Sequence, residues 1–278
     1  VWIPHSTGKI HKVDSAVKDS EKMINSRIEW EYNAICYINT DNNSYLAGTS
    51  QYISKHLIKE YNLDEKKLIQ FINGELLDQN TFYEENEKMK KLFKKIENEE
   101  NIIFSFGRAE EYKNLEDCMY LGKKLNIKPV VIAQPYFEGQ PIIKKYKAIA
   151  KQTDTILFIN APFDFPFYIL NYFKNNMIML IPSKKEIFGL IINQVRKLNK
   201  NNILIVANDI GGLHEQISDC EDGILVNLNN IDESANKIRK CFNNEYLIKF
   251  NENSQQKLKD SYNFEKICFQ FLEFFMKL

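Results

Sequence analysis

The sequence is poor in glycine, with ten residues among 278, which is about half of the roughly 7% found in typical soluble proteins. Glycine is needed where a backbone turns sharply or where another group approaches it closely. Each glycine of this chain therefore marks a position of interest. Gly107, Gly189, Gly211, Gly212 and Gly223 all fall at the predicted ends of strands or starts of helices, where we expect close approach to a ligand.

Other absences exclude whole classes of protein. No apolar run approaches the length of about 18 residues that a membrane-spanning helix needs, and the first residues lack a signal-peptide pattern. The 37 basic and 37 acidic side chains cancel, so no global field attracts nucleic acid. The five cysteines are scattered and without C-x-x-C spacing, which favours reduced thiols in the cytoplasm over disulfides or a zinc site.

The second part of the chain shows a regular alternation of predicted strands and helices. Short apolar runs, each followed by a helical pattern, predict strands at residues 102–106, 130–133, 155–159, 177–181, 203–207 and 223–226. Near-continuous apolar strands separated by helices predict a parallel sheet with both faces covered, in an α/β fold. Two helices are expected after the last strand.

The first 100 residues have a weaker pattern. We predict strands at 34–38, 45–47 and 68–72, and a helix that begins after Thr49 and Ser50, which sit where an N-cap belongs. Residues 84–100 are rich in charge but carry apolar side chains at helical spacing, which predicts an amphipathic helix.

Polar residues follow the predicted strands, at the sheet edge where ligands bind in such folds. Gly107 and Arg108 end the strand at 102–106, and Lys113 comes five residues later. A guanidinium and an ammonium at the mouth of a cleft suit a diphosphate. A surface arginine and lysine would be the ordinary explanation.

The second motif, PSKKEIFGL, spans residues 182–190 between a strand and a helix that we expect from about Phe188. Ser183 and Glu186 lie in its polar loop, and free N–H groups at a helix start favour phosphate or sugar oxygens. Glu186 and Gln194 are eight residues apart, and we expect both on one helix face. An acidic helix N-terminus alone would be unremarkable.

Two further motifs are weak by themselves. ANDIGGLHE, residues 207–215, combines a strand end, a Gly-Gly turn and a helix start. Near the N-terminus, His5, Ser6 and Thr7 form a loop after what resembles the end of a strand. A lone histidine is more often structural than catalytic.

The motifs identify a protein family only as an ordered set. The set is FGR with its lysine, then PSKKEIFGL, ANDIGGLHE and DGILV. The set resembles the donor-binding domain of the retaining glycosyltransferase family 4, the glycosyl transferases group 1, whose GT-B fold has two Rossmann-like domains with parallel sheets. The resemblance implies a partial N-terminal, acceptor-side domain at 1–98 and a nucleotide-sugar donor-binding domain at 99–262. It also implies a C-terminal helix at 263–278 that crosses back to the N-terminal domain.

The resemblance also implies residue roles. Arg108 and Lys113 match the basic pair on the donor diphosphate, and Glu186 matches the first glutamate of the family's E-x7-E motif, which binds the transferred sugar. Backbone amides of 188–190, at Phe188, Gly189 and Leu190, would meet sugar and phosphate. Gln194 stands where the second glutamate, on the ribose, is usual. His5, with Ser6 and Thr7, would lie on the acceptor side.

Two departures leave an alternative open. Gln194 lacks the charge of glutamate, and the N-terminal domain is shorter than the family requires, so we expect upstream sequence before Val1. The main expectation is transfer of a sugar, with retained configuration, from a nucleotide-diphosphate sugar to a glycan, glycolipid or small-molecule acceptor. The alternative is a non-catalytic subunit of the same fold that supports a partner glycosyltransferase.

The sequence also leads to expectations about the cofactors, partners and cellular location of the protein. The sequence contains no Asp-x-Asp, so neither a metal nor another cofactor is expected beside the donor. We expect no nucleic-acid partner and a cytoplasmic location. Lysines 88, 90, 91, 94 and 95 leave peripheral contact with the inner membrane face open, although a solvated helix face is favoured because the acidic run at 97–100 adjoins them.

Overall fold

The computed structural model describes residues 1–11, 21–78, 86–200 and 202–277. Within these ranges the strands form two separate parallel sheets, of two and six strands. The strands are β1 (Leu46–Gly48), β2 (Leu68–Gln70), β3 (Asn101–Arg108), β4 (Lys128–Gln134), β5 (Ile156–Ile159), β6 (Asn176–Ile181), β7 (Ile203–Asn208) and β8 (Ile224–Val226). The α-helices in the same ranges are α1 (Gly8–His11), α2 (Glu21–Thr40), α3 (Gln51–Tyr61), α4 (Glu87–Phe93), α5 (Glu116–Leu125), α6 (Pro141–Thr153), α7 (Phe165–Tyr172), α8 (Leu190–Leu198), α9 (Leu213–Gln216), α10 (Ile231–Cys241), α11 (Asn244–Ser261) and α12 (Phe264–Met276).

The larger sheet has the strand order β5-β4-β3-β6-β7-β8, and every pairing in it is parallel. The chain builds outward from β3 through β4 to β5, and then returns to place β6 on the other side of β3. The strand order therefore reverses between β3 and β6. In open α/β sheets the ligand crevice lies at this reversal, beyond the carboxyl ends of the strands.

Both faces of the six-stranded sheet are covered, as the continuous apolar strands predict. Along β3, Ile103 faces a core shared with α5, α6 and α10, whereas Ile102 and Phe104 face a second core shared with α4, α7 and α8. Because successive side chains point to opposite faces, a strand buried on both sides shows no alternation of apolar and polar residues.

The N-terminal part packs α2 and α3 on the sheet of β1 and β2. The strand predicted at residues 34–38 is wrong, because this segment lies within α2. Glu31 obscures the helical period, since it is buried at the spacing of the apolar residues Ile24, Ile35 and Ile38. Its carboxylate accepts hydrogen bonds from Gly8 N at 2.9 and 3.0 Å and from the Tyr61 hydroxyl at 2.6 Å.

Of three helix predictions, one is confirmed, one is longer than the observed helix and one is wrong. The helix after Ser50 is confirmed as α3, because the Ser50 side chain accepts a hydrogen bond from Ile53 N. The helix expected within residues 84–100 is shorter, namely α4, and its first two predicted residues lie outside the described ranges. The prediction of two final helices is wrong: α10, α11 and α12 follow β8.

Helix α12 contacts the N-terminal part of the chain. The Phe271 ring lies 4.5 Å from that of Phe71, and the Phe274 ring lies 5.5 Å from that of Tyr45, measured between centroids. Phe264 N also donates a backbone hydrogen bond of 3.1 Å to Glu75 O. Among the described residues, none of the helices has the length and apolar character required to cross a bilayer.

Candidate functional site

The site is built from the two loops that follow β3 and β6 at the reversal of strand order. Backbone N–H of Lys184 donates to Tyr112 O at 2.7 Å, and the Asn114 side chain donates to Pro182 O at 3.3 Å. Asn114 is buried and has a φ of 51°, in the left-handed region that asparagine tolerates better than most residues. These bonds fix the two loops relative to each other.

A cavity of about 290 Å³ opens between these loops. It brings together six of the residues predicted from the sequence, although they lie up to 87 positions apart: Gly107, Arg108, Lys113, Ser183, Glu186 and Gln194. Its floor is apolar and comes from the strand ends, including Phe106 and Ile181.

Lys113 and Glu186 meet across the cavity. Nζ of Lys113 lies 2.9 Å from Oε2 of Glu186, and the Ser183 hydroxyl is 3.4 Å from the same oxygen. Glu186 belongs to the loop before α8, so the expectation of a helix-face position for it is wrong, and α8 begins at Leu190 rather than near Phe188. Gln194 is on the helix and lines the same cavity.

Arg108 contacts three side chains that the sequence motifs did not single out. Its terminal nitrogens donate to the hydroxyls of Tyr136 and Tyr112. Its Nε lies 3.3 Å from Oε2 of Glu110. Burial, followed by the nearby Glu110 carboxylate, raises the pKa of both tyrosine hydroxyls. Both hydroxyls therefore remain neutral donors and acceptors near neutral pH.

Gly211 and Gly212 support the loop of Glu186. A Cβ on Gly211 would lie 2.3 Å from Glu186 O, and one on Gly212 would lie 1.9 Å from Ile187 O. Gly212 N also donates to Glu186 O at 2.9 Å. The close approach that we expected to serve a ligand is made here to the protein backbone, and the Gly-Gly turn positions Glu186.

The segment Phe188–Gly189–Leu190 does not line the cavity with side chains. Phe188 is buried against Tyr262, with ring centroids 5.7 Å apart. Leu190 is exposed. Gly189 has a φ of 85° and is the N-cap of α8, a backbone conformation that favours glycine. The proposed role of their amides stays a prediction.

The predicted acceptor-side residues lie in the N-terminal segment. His5 is exposed, and Ser6 accepts a hydrogen bond of 3.0 Å from Arg27 at its carbonyl oxygen. Thr7 is fully buried, with its hydroxyl 2.9 Å from Nε2 of His56. Burial lowers the pKa of His56. A role in acceptor binding stays a prediction for all three residues.

Glu215 joins the motif ANDIGGLHE to the N-terminal part. Its carboxylate accepts hydrogen bonds from the N–H groups of Gln51, at 2.7 Å, and Tyr52, at the start of α3. A carboxylate at a helix N-terminus is favourable, although burial raises the pKa of Glu215. Lys197 and Glu75 form a second contact across the two parts, with Nζ 3.4 Å from Oε1.

The charges at the cavity are balanced within the protein. Arg108 is paired with Glu110, and Lys113 with Glu186. Nearby, burial raises the pKa of Asp117 to about 6.

In the described part of the chain, no group of three or more histidine, cysteine, aspartate or glutamate side chains is arranged to bind a metal ion. A diphosphate entering the cavity would meet two cations at its mouth.

The six-stranded parallel sheet with its cleft at the reversal of strand order has a Rossmann-like arrangement, and the matches below assign the fold to the GT-B class of glycosyltransferases. The family model described as "Glycosyl transferases group 1" matches residues 85–260, and the chain belongs to this family. No curated protein matches the sequence.

Solved structures agree on the fold. A glycosyltransferase from Rickettsia africae ESF-5 is 19% identical with a TM-score of 0.71, over 88% of this chain and 66% of that one. Sucrose-phosphate synthase from Thermosynechococcus elongatus is 16% identical with a TM-score of 0.71, over 99% and 66%. HepE from Anabaena, in complex with UDP-glucose, is 15% identical with a TM-score of 0.71, over 99% and 71%. The chain spans 66% of the length of the first two.

Proposed function

We propose that the protein transfers a sugar from a nucleotide-diphosphate sugar to an acceptor, with retention of the anomeric configuration. The observation that carries the proposal is the meeting of Arg108 and Lys113 with Glu186 around one cavity at the reversal of strand order. Two cations and one hydrogen-bond acceptor at one cavity would suit a diphosphate and the sugar attached to it, which supports the proposal.

The cations would act on the leaving group. As the bond to the sugar breaks, negative charge grows on the diphosphate, and preorganised positive charge stabilises it where it develops. Arg108 keeps a second N–H on each terminal nitrogen after its bonds to Tyr136 and Tyr112. Lys113 can turn from Glu186 to a phosphate oxygen without leaving the cavity, because the side chain is long and flexible.

Glu186 would bind hydroxyl groups of the transferred sugar. Its Oε2 already accepts from Lys113 and Ser183, which makes it a poor nucleophile and leaves Oε1 for the sugar. Retention without a covalent intermediate requires the acceptor to approach on the side of the departing phosphate. Following the anomeric signal of the product by NMR tests this: an inverted product would contradict retention.

The nucleotide is proposed from the relatives. The solved HepE structures are described as complexes with UDP and with UDP-glucose, so we propose a UDP-sugar as the first donor to test. Gln194 offers an amide oxygen and two N–H donors to a ribose. No cofactor and no bound metal is proposed, since Arg108 and Lys113 supply the positive charge.

The test is release of nucleoside diphosphate from a panel of UDP-, GDP-, ADP- and CDP-sugars, with and without candidate acceptors. Activity should be lost in Arg108→Ala and in Glu186→Ala while the fold is retained. Arg239→Ala, on the exposed face of α10, is the matched control and should remain active. Full activity of the two site variants would contradict the assignment. Binding without turnover of any donor would favour the alternative of a non-catalytic subunit.

The acceptor is proposed to be a glycan, glycolipid or small molecule. We further propose the boundaries 1–98, 99–262 and 263–278, supported by the family match and by the contacts of α12 with Phe71 and Tyr45. A cytoplasmic location is proposed from the five free cysteines. For a glycolipid acceptor, lysines 88, 90, 91, 94 and 95, all exposed except the half-buried Lys90, would contact the membrane. Equal vesicle binding after neutralisation of the five would exclude this.

A further inference from the structure

We propose that Glu110 is the residue that positions Arg108 for the donor diphosphate, by fixing both the guanidinium and the hydroxyl of Tyr136, one of the two tyrosines that bind it. The inference rests on the proposed function of the cavity. Neither the order of motifs nor the family match singles out Glu110, which lies two residues after Arg108 and just before the turn that presents Lys113.

The geometry joins three side chains in a closed set of contacts. The Tyr136 hydroxyl donates to Oε1 of Glu110 at 2.6 Å, and the same hydroxyl accepts a hydrogen bond from Nη1 of Arg108. Oε2 of Glu110 lies 3.3 Å from Nε of Arg108. Because the Tyr136 proton is held by the carboxylate, the lone pairs of its oxygen face the guanidinium.

Glu110 is suited to this task because its carboxylate is buried and Oε1 is bound by the Tyr136 hydroxyl. Its side chain is only 7% exposed, whereas that of Arg108 is 53% exposed. Oε2 is buried beside the Arg108 guanidinium, so the Arg108 charge compensates it there. A buried carboxylate with an incomplete set of hydrogen bonds is costly, and a cation at a fixed place beside it relieves that cost.

The loop around Glu110 is fixed in turn by the next loop of the sheet. Gln140 donates to Ala109 O at 2.6 Å and accepts from Tyr136 N at 2.9 Å. The Arg108 guanidinium also lies 5.6 Å from the centre of the Tyr136 ring, within the range of a cation–π contact. Arg108 is therefore aimed by a framework of loops after β3 and β4, and it does not have to be ordered by the donor.

The experiment measures UDP affinity by calorimetry, with GDP, ADP and CDP as parallel probes. Glu110→Gln keeps the size of the side chain and removes its charge. We expect the best-bound nucleotide to bind about tenfold more weakly, a loss in the range of one hydrogen bond to a charged group. The matched control is Glu111→Gln, the same change at the next residue, whose side chain is 76% exposed; it should leave the affinity unchanged.

A second comparison separates positioning from a general structural effect. Glu110→Gln is repeated in an Arg108→Ala background, with affinities followed to millimolar concentrations by NMR. If Glu110 acts through Arg108, the substitution has no further effect there. An equal loss of affinity in both backgrounds would overturn the positioning role. If Glu110→Gln does not fold, Tyr136→Phe tests the same contacts, with a smaller loss expected and an unchanged affinity overturning the inference.

The outcomes for the two proposals differ. If the wild-type protein binds none of the four nucleotides, the proposed function fails and the role of Glu110 fails with it. If the wild-type protein binds one of them and Glu110→Gln binds it within twofold of the same affinity, the role of Glu110 fails, while the proposed donor site stands and turnover of the donor panel decides the proposed function.

Discussion

Lys113 Nζ and Glu186 Oε2 lie 2.9 Å apart, 73 residues apart in sequence, and connect the loop after β3 to the loop after β6. Both side chains are about three-quarters or more buried, at 24% and 21% exposure. The pair places a cation and an acceptor side by side at the cavity. A donor would separate their roles, with phosphate oxygens on Lys113 and sugar hydroxyls on Glu186.

This division predicts opposite behaviour of two variants. Glu186→Gln should lower kcat by about 10²- to 10³-fold, the range for loss of one preorganised polar group, while UDP binds at least as tightly because Lys113 is released. Lys113→Ala should weaken UDP binding. Calorimetry and a diphosphate-release assay check both. Equal losses of UDP affinity in the two variants would contradict the division.

The Gly-Gly turn predicts a coupled loss of stability and activity. Gly212→Ala places a Cβ 1.9 Å from Ile187 O, so the backbone of the Glu186 loop must shift. We expect a loss of about 1–3 kcal/mol in the free energy of unfolding, the usual cost of overpacking, and a loss of transfer activity. Urea titration measures the first.

The matched control for stability is Gly107→Ala. Its added Cβ would find its nearest neighbour, Lys113 Cγ, at 3.8 Å, an ordinary contact. A Gly212→Ala protein as stable as Gly107→Ala would show that the turn does not support the Glu186 loop.

We expect substitution of Arg196, which lies away from the cavity, to lower the stability of the protein strongly. Its guanidinium is fully buried and lies 3.1 Å from Asp222, with further bonds to Asn193, Gln216 and Ser254. Burial lowers the pKa of Arg196. Arg196→Met leaves Asn193, Gln216 and Ser254 without their buried donor, whereas Asp222 keeps Lys257 at 3.0 Å. We therefore expect a loss of about 3 kcal/mol in the free energy of unfolding, from buried polar groups left without a partner.

An exposed ion pair is the comparison for Arg196. Lys266 and Asp260 are more than half exposed and 3.9 Å apart, so Asp260→Asn should change stability by less than about 0.5 kcal/mol. Similar losses in Arg196→Met and Asp260→Asn, measured by urea unfolding, would refute the structural role of the buried network.

The buried carboxyl group of Asp117 should make the stability of the protein depend on pH. Burial raises the pKa of its carboxyl from 3.8 to about 6, so the folded state favours the protonated form. The contribution of this group is then greatest below pH 3.8 and is lost as the pH rises towards 6. Asp117→Asn removes the dependence, so its stability relative to wild type should increase between pH 4 and 7.

The control for this prediction is Asp154→Asn, whose carboxylate is 92% exposed. Its stability relative to wild type should stay constant over the same interval. Urea midpoints at pH 4.5, 6 and 7.5 are sufficient. A constant difference between Asp117→Asn and wild type would contradict the assignment.

The larger sheet was predictable because its strands are buried on both faces and are therefore continuous in apolar residues. The cavity was predictable in outline, since each motif follows a strand and parallel strands place their carboxyl ends on one edge. The helix α2 was not, because the buried Glu31 interrupts its apolar period and is compensated by Gly8 and Tyr61, which are distant in sequence.

Contacts between loops could not be predicted from the local sequence pattern. Tyr136 meets Arg108 only because β4 lies beside β3 in register, with Gln134 opposite Arg108. The hydroxyl, the guanidinium and Glu110 then converge from two loops. The Gly-Gly turn is evident in the sequence, where we expect it to approach a ligand, but its partner, the backbone of Glu186 and Ile187, is visible only in the fold.

The most direct test of the central claim is a crystal structure with the best-bound nucleotide sugar. We expect the diphosphate at Arg108 and Lys113, with sugar hydroxyls at Glu186, in the cavity between the loops after β3 and β6. A nucleotide bound instead at the opposite edge of the sheet, where a second cavity is lined by Asn101, Lys128 and Asp154, would contradict it.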